Sequence, residues 1–311
     1  MPKPSRYFRI SVTGRCNMSC RWCHKEGNTS QPRPENELSA GDIAFACECA
    51  LDSGFMKFKL TGGEPTIRSD IAEIVSSLAK LNLPDLSMIT NATRLNSLAK
   101  TLWDSGLRRL NISLNSLNPE RLAKTQATKN NITPSKILQG LDAANEAGFR
   151  NIKVNFVFRD NESESDLRDM IEYFKDKSHI IVLLPVIDGG EYYSLERLHE
   201  IVRSYGVIHE KVITDNEGIR KRLITLQCGA KILLRADELG ILRPFTFCGE
   251  CPMKESCREG IFPLRMTYDG VLAPCMASNE HRINIREFLR TRDYDGVMSA
   301  FEMIHKYYRK D

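Results

Sequence analysis

One local form recurs three times in the first half of the chain: a helical stretch, a glycine, then an apolar residue leading into a strand. It is read at Ala50-Leu51-Asp52-Ser53-Gly54-Phe55, at Leu102-Trp103-Asp104-Ser105-Gly106-Leu107 and at Ala144-Asn145-Glu146-Ala147-Gly148-Phe149. A glycine at such a point stops a helix cheaply, because it enters the left-handed region without a Cβ penalty. Around these joints, strand-like runs of Ile, Val, Leu and Phe fall at 8–13, 57–61, 86–91, 109–115, 151–158 and 180–187. Helical spacing fills the intervals near 39–53, 69–82, 94–106, 134–148 and 164–177, with Ser39 and Ser69 as expected N-caps. Six βα units predict an α/β fold with a parallel sheet and helices outside it, a partial (β/α)6 barrel. The reactive site of such a fold lies at the C-terminal ends of its strands.

After about residue 190 the rhythm changes to a helical stretch at 195–207, a mixed basic segment, a Cys/Gly/Pro-rich stretch at 245–280 and a last helical segment from about 285. The expected division is therefore 1–190 for the partial barrel and 191–311 for a C-terminal extension packed against it. Net charge excludes several partners. Forty-four Lys+Arg against 40 Asp+Glu leave +4, which gives no case for a nucleic-acid groove or an anionic membrane surface. No apolar run approaches the ~20 residues of a membrane span, and Met1-Pro2-Lys3-Pro4-Ser5-Arg6 has no signal-peptide core. A soluble, cytoplasmic protein is expected.

Ten cysteines are then too many for a reducing compartment unless some ligate metal or react. Cys16, Cys20 and Cys23 form C-x3-C-x2-C directly after the first strand, and Cys248, Cys251, Cys257 and Cys275 gather near the other end. Three thiolates on one loop can hold three irons of a [4Fe–4S] cube and leave the fourth open. A structural zinc site wants four ligands in two pairs, which the triplet lacks. Cys47, Cys49 and Cys228 match no ligand spacing and read as buried thiols.

The triplet and its loop resemble those of the radical S-adenosylmethionine (SAM) enzymes. The resemblance implies that Cys16, Cys20 and Cys23 hold the cluster that binds and reductively cleaves SAM to a 5′-deoxyadenosyl radical, with Trp22 near the adenine. Further segments agree: Gly62-Gly63-Glu64 after the second strand, Thr90-Asn91 after the third, and Ser113 and Asn115 at the end of the fourth. In the family these positions contact the amino, methionine and ribose parts of SAM. An electron donor such as a flavodoxin or ferredoxin is also implied.

Within the superfamily the chain is most similar to the GTP 3′,8-cyclases, over 8–23, 61–68, 107–120, 151–158 and the C-terminal cysteines. Those enzymes carry a second cluster in a C-terminal extension of the twitch or SPASM type. Here Cys248, Cys251, Cys257 and Cys275 are the expected ligands of a second [4Fe–4S] cluster, with Cys257 as a potential fourth thiolate that closes it; a structural zinc on the same four thiols is the alternative. Residues 265–270 read as a hairpin before Cys275.

The similarity breaks at the phosphate cradle. Arg9 and Arg265 keep two of the cyclases' arginine positions, but Val182 and Pro263 stand at two others, and the cyclases' Phe-Ile-Glu is Leu183-Leu184-Pro185 here. The chain ends Tyr307-Tyr308-Arg309-Lys310-Asp311 in place of their Gly-Gly tail. A triphosphate needs several bidentate arginines. The expected activity is hydrogen abstraction from another small molecule, a nucleotide, nucleoside, sugar or amino-acid derivative, with Arg9, Arg68 and Arg265 as candidates for a smaller anionic group. The alternatives are GTP 3′,8-cyclase itself, a peptide-modifying radical SAM enzyme, whose leader-binding module is not expected at the N-terminal end with only seven residues before the first strand, and a Cys-rich metal-stabilised scaffold.

Overall fold

The computed structural model describes residues 7–27, 32–126, 132–159, 161–185, 195–214, 220–235, 246–252, 254, 263–276 and 278–307. The chain alternates strand and helix as its joints predict: β1 (Tyr7–Ser11), α1 (Ala40–Asp52), β2 (Lys57–Thr61), α2 (Ile71–Lys80), β3 (Leu86–Thr90), α3 (Leu95–Asp104) and β4 (Arg109–Ser113). Two helices, α4 (Pro119–Gln126) and α5 (Pro134–Ala147), precede β5 (Lys153–Phe158), α6 (Asn161–Phe174) and β6 (Ile180–Pro185). The six strands pair in parallel in sequence order. Gly54, Gly106 and Gly148 all have positive φ at the helix–strand joints. Ser39 caps α1 in a capping box with Asp42. Ser69 does not cap α2: Asp70 occupies the N-cap, and its carboxylate is turned to Arg68 instead.

The C-terminal part adds strands to both edges of this one sheet. After α7 (Leu195–Arg203), the basic segment forms a meander of β7 (Val207–Thr214), β8 (Arg220–Leu226) and β9 (Lys231–Arg235), and β9 pairs in parallel with β6. The helix expected over 195–207 thus ends early, with Val207 already in a strand. On the other edge β10 (Leu264–Met266) pairs in parallel with β1 and turns through Thr267–Gly270 into β11 (Val271–Ala273), the expected hairpin. A two-residue β12 (Ile283–Asn284) and helices α8 (Arg286–Thr291) and α9 (Tyr294–Lys306) follow. No described helix is long and apolar enough to cross a membrane.

Alternation along the strands separates two faces. Phe8, Ile10, Phe58, Leu60, Met88, Ile112, Val154 and Phe156 are fully buried, and Phe8 meets Phe55 and Phe301 of α9 in one aromatic cluster. The intervening residues, among them Arg9, Lys57, Lys59, Asn111, Ser113, Lys153 and Asn155, form a polar inner face.

Candidate functional site

The loop after β1 is held first by backbone hydrogen bonds to the turn after β2. Val12 N–H donates to the Thr61 carbonyl (2.9 Å), Gly63 N–H to the Thr13 carbonyl (2.7 Å) and Glu64 N–H to the Arg15 carbonyl (2.8 Å). Gly62 sits at φ +141, where an added Cβ would lie 2.3 Å from the Thr13 oxygen. At Gly63 it would lie 1.9 Å from the Arg15 oxygen. Two loops this close require both glycines.

The loop's outer part hangs from the C-terminal turn of α4. Ser19 N–H donates to the Gln126 carbonyl and Arg21 N–H to the Thr125 carbonyl, each at 3.2 Å. Cys16 Sγ accepts from Met18 N–H at 3.4 Å, and Cys20 Sγ from Gln126 Nε2 at 3.8 Å. Cys16 and Cys23 are exposed and Cys20 half-buried. Local burial pushes the Cys16 thiol up to about 12 and that of Cys20 to about 11, and the neighbouring thiols add to both shifts. Three soft donors on one loop, two already accepting N–H bonds, suit thiolate ligation of iron in a cluster. Among the described residues no three His, Cys, Asp or Glu side chains form a group that could hold a single metal ion.

Glu64 is buried and its carboxylate joins the turn after β2 to the end of β3. Its Oε1 accepts from Thr66 N–H (3.0 Å), Thr66 Oγ1 (2.6 Å) and Thr90 Oγ1 (2.6 Å), and its Oε2 from Asn91 N–H (2.7 Å). Burial raises this carboxyl above its usual range against those four bonds. Asn91 in turn donates to Asn17 Oδ1 (2.8 Å) in the cysteine loop, and Asn17 donates to Thr93 (2.9 Å). Asn115 accepts from Val157 N–H at 2.7 Å, joining β4 to β5. Ser113 lies half-buried on the inner face. Trp22 lies under the guanidinium of Arg159, 4.5 Å from its ring centroid.

The three arginines separate into two environments. Arg68 donates to the carbonyls of Val12 (2.7 Å) and Leu38 (3.0 Å) and pairs with both oxygens of Asp70; its guanidinium is spent on the scaffold. Arg9 and Arg265, side by side in β1 and β10, both face the buried Glu26. Thr61 Oγ1 donates to the same carboxylate at 3.0 Å. Burial alone would raise the Glu26 carboxyl, but the charges of Arg9, His24 and Arg265 hold it well below the usual carboxylate range.

Sequence reasoning missed Glu26 and a set of lysines. Lys57, Lys59 and Arg9 surround the Tyr7 ring at 5.9, 5.5 and 6.0 Å. Lys153 is depressed to about 8 by burial and by the charges of Lys59, Arg109, Lys221 and Lys57. The available signal was the placing of lysines at alternate positions of β2 and at the start of β5, on the face opposite Phe58, Leu60 and Val154.

The second cysteine set is half-buried at Cys248, Cys251 and Cys275, while Cys257 lies outside the described residues. Cys248 belongs to a short 3-10 turn, Thr246–Gly249, whose Thr246 N–H donates to the Tyr307 carbonyl at 2.7 Å. Phe247 stacks on His281 at 4.4 Å, and His281 meets Tyr307 at 4.6 Å. Cys47 and Cys49 are wholly buried in α1, and Cys228 is half-buried.

Comparison with known proteins gives a consistent picture. Residues 10–174 match the radical SAM superfamily. Over 308 residues the chain is 32% identical to the probable GTP 3′,8-cyclase of Methanothermobacter thermautotrophicus, covering 96% of this chain and 93% of that one. It is 32% identical to the GTP 3′,8-cyclase of Marinobacter nauticus, with 91% and 82% covered. Among solved structures, SuiB of Streptococcus suis bound to S-adenosylmethionine superposes with a TM-score of 0.66 at 19% identity, covering 96% of this chain and 68% of that one. The anSMEcpe structure with bound AdoMet gives 0.62 at 17%, with 97% and 82% covered. At these identities the likeness is one of fold.

Proposed function

The chain belongs to the radical SAM superfamily and is an enzyme that uses SAM and a [4Fe–4S] cluster, and we propose that it abstracts hydrogen from a small anionic molecule other than GTP. In this reading Cys16, Cys20 and Cys23 hold the SAM-cleaving cluster. When bound, that cluster supplies the electron that breaks SAM to the 5′-deoxyadenosyl radical.

The chain's own residues then have separable tasks. Gly62 and Gly63 let the cysteine loop and the β2 turn lie against each other. Glu64, Thr90 and Asn91 lock the turn to the end of β3, and Asn115 and Ser113 line the side towards β4 and β5. Trp22 offers an aromatic face to the adenine. Arg9, Lys59 and Lys153 make the inner face cationic, while Val182 and Leu184 of β6 make its far side apolar. A molecule with one anionic group and an apolar or aromatic body suits that division. Arg265 helps Arg9 hold the buried Glu26 carboxylate in place, and Arg68 supports the loop from behind.

A second [4Fe–4S] cluster on Cys248, Cys251, Cys257 and Cys275 completes the proposal. Closed by four thiolates, it would move electrons or stabilise the fold. The observation that carries the whole reading is the meeting of the C-x3-C-x2-C loop, the Gly62-Gly63-Glu64 turn and the Asn91 corner beside a lysine-lined inner face. GTP 3′,8-cyclase activity itself is the second reading, favoured by the 32% identity.

Anaerobic reconstitution, reduction and addition of SAM should yield 5′-deoxyadenosine; its absence would overturn the enzyme's assigned cysteines. Calorimetry with GTP separates the two substrate readings. Weak binding is expected because Val182 and Pro263 bring no cation to a phosphate, and micromolar binding or a cyclised product would sink the first.

A further inference from the structure

Arg159 follows the last residue of β5 at the end of the sheet where the cysteine loop lies. Its side chain is only 11% exposed, and several contacts hold the residue. The guanidinium lies 4.5 Å from the centroid of the Trp22 ring. Its Nη2 is 4.0 Å from Asp166, a wholly buried carboxylate. Its backbone N–H donates to Ser163 Oγ at 3.3 Å. Asp166 is itself immobilised, because Ser116 Oγ donates to it at 2.6 Å and Arg121 Nε at 2.7 Å. Arg121 is shared in turn with the more exposed Asp169. Asp166 therefore divides its charge between two guanidiniums and cancels neither completely.

The position of Trp22 gives this stack a consequence. Trp22 lies between Cys20 and Cys23, so whatever fixes its ring fixes the turn carrying two thiols. A guanidinium over an indole is attracted by the ring's π face, and more strongly where water is excluded. Because Cys20 and Cys23 flank Trp22 in sequence, the guanidinium stacked on its ring stands beside the turn that carries both thiols.

We propose that Arg159 is a positioning residue of the cysteine loop, stacked on Trp22 to set the Cys20–Cys23 turn and presenting a buried positive charge to the cluster carried there. The proposal rests on the reading that Cys16, Cys20 and Cys23 hold the cluster. One-electron reduction adds negative charge to the cluster, and a nearby cation in a poorly screened site stabilises that state. Arg159 thus raises the cluster's reduction potential and makes the electron easier to load.

The test uses Arg159→Gln and Arg159→Lys in the full chain. In cluster-loaded protein without SAM, redox titration followed by electron paramagnetic resonance should place the Arg159→Gln midpoint below wild type and the Arg159→Lys midpoint beside it. An unmoved Arg159→Gln midpoint, or equal shifts in both variants, would overturn the charge effect. In cluster-free protein carrying Trp103→Phe, acrylamide quenching reports Trp22 alone. Both variants should raise the quenching constant roughly twofold, one of the two ring faces being uncovered; an unchanged constant overturns the stack. If Arg159→Gln fails to fold, Arg159→Lys still decides, with a held potential and raised quenching expected and quenching at the wild-type value overturning the stack. A wild-type protein that takes up no cluster at the triplet would refute the cysteine assignment, while the quenching result would still stand or fall by itself.

Discussion

The two cysteine sets of this chain are equally conspicuous in sequence and differ sharply in how they are supported. The N-terminal triplet leaves the end of a central parallel strand and is tied by backbone hydrogen bonds to the ends of β2 and α4. The C-terminal set hangs from a 3-10 turn and the short hairpin β10–β11 on the sheet's edge, held through Tyr307 and the Phe247–His281 stack. A ligand loop mounted on strand ends inherits the rigidity of the sheet; one mounted on turns depends on its ligands for order. The difference teaches where loss of a single residue should propagate.

Its largest test removes the N-terminal ligands altogether. Reconstituted wild type should hold about eight irons and eight sulfides, the content of two [4Fe–4S] clusters. Changing Cys16, Cys20 and Cys23 together to Ala should remove half of the iron and all 5′-deoxyadenosine formation, while the sheet remains folded by circular dichroism. Four irons and one zinc in wild type would instead make the second site structural.

Next in size is Gly63→Ala. The new methyl would stand 1.9 Å from the Arg15 carbonyl oxygen, and backbone cannot swing aside as a flexible side chain can. Loop and turn must part, at a cost of about 3 kcal/mol or more, read as a lower midpoint in denaturant and as lost SAM binding. A variant with wild-type stability would show that the loop is not clamped by this contact, and the contrast between the two cysteine regions would fail.

How far this was legible follows the same division. The parallel strands could be read because each is an apolar run between a glycine stop and a helix; β2 spans 57–61 as expected, β1, β3, β4 and β5 differ by a residue or two at their ends, and β6 begins at 180 as expected, with 186–187 outside the described residues. The β7–β9 meander could not, since Arg220, Lys221 and Arg222 or His209, Glu210 and Lys211 hide alternation behind charge. The triplet was read from its spacing and the Gly62-Gly63-Glu64 turn from the resemblance it carries; the structure lays the two loops against each other, with no room for a Cβ at either glycine. Arg68 was not placed correctly from sequence as an anion candidate facing the site: nothing local says that Asp70 and two carbonyls take its donors. Lys59 and Lys153 escaped because a lysine on a strand reads as facing water, whereas here the polar face is turned inward.

Lys153 sharpens the comparison from the inner face. Its folded ammonium loses its proton near pH 8, against an ordinary value of 10.5. Between those values the unfolded chain binds more protons than the folded one, so stability rises with pH across that window, and the penalty is fully present below it. The rise is at most about 3 kcal/mol before discounting for the water that reaches a half-buried side chain. Lys153→Met should stabilise the cluster-free protein at pH 7 by roughly 1–3 kcal/mol and flatten the rise, seen by denaturant titration at several pH values. Substrate affinity should fall in wild type as pH passes 8 and should be lost in the variant. Equal stability in both proteins at pH 7 would mean that the inner face is wetter than its lysine spacing implies.

The smallest expected effect, at Cys257, bears most directly on the edge-mounted site. If Cys257 is its fourth thiolate, the second cluster is saturated and no substrate atom reaches its iron. Cys257→Ala then opens one iron to water or added thiol. Three thiolates still suffice to hold a cube, so iron content should stay near that of wild type, while the electron-paramagnetic-resonance signal of the second cluster changes and its lability to oxygen rises. Cys248→Ala and Cys275→Ala should behave alike, because equivalent ligands have equivalent losses. An unchanged signal in Cys257→Ala would make it a bystander thiol and leave the edge site with an open iron. The two regions would then differ in mounting but not in coordination, and the substrate would be anchored at the edge site.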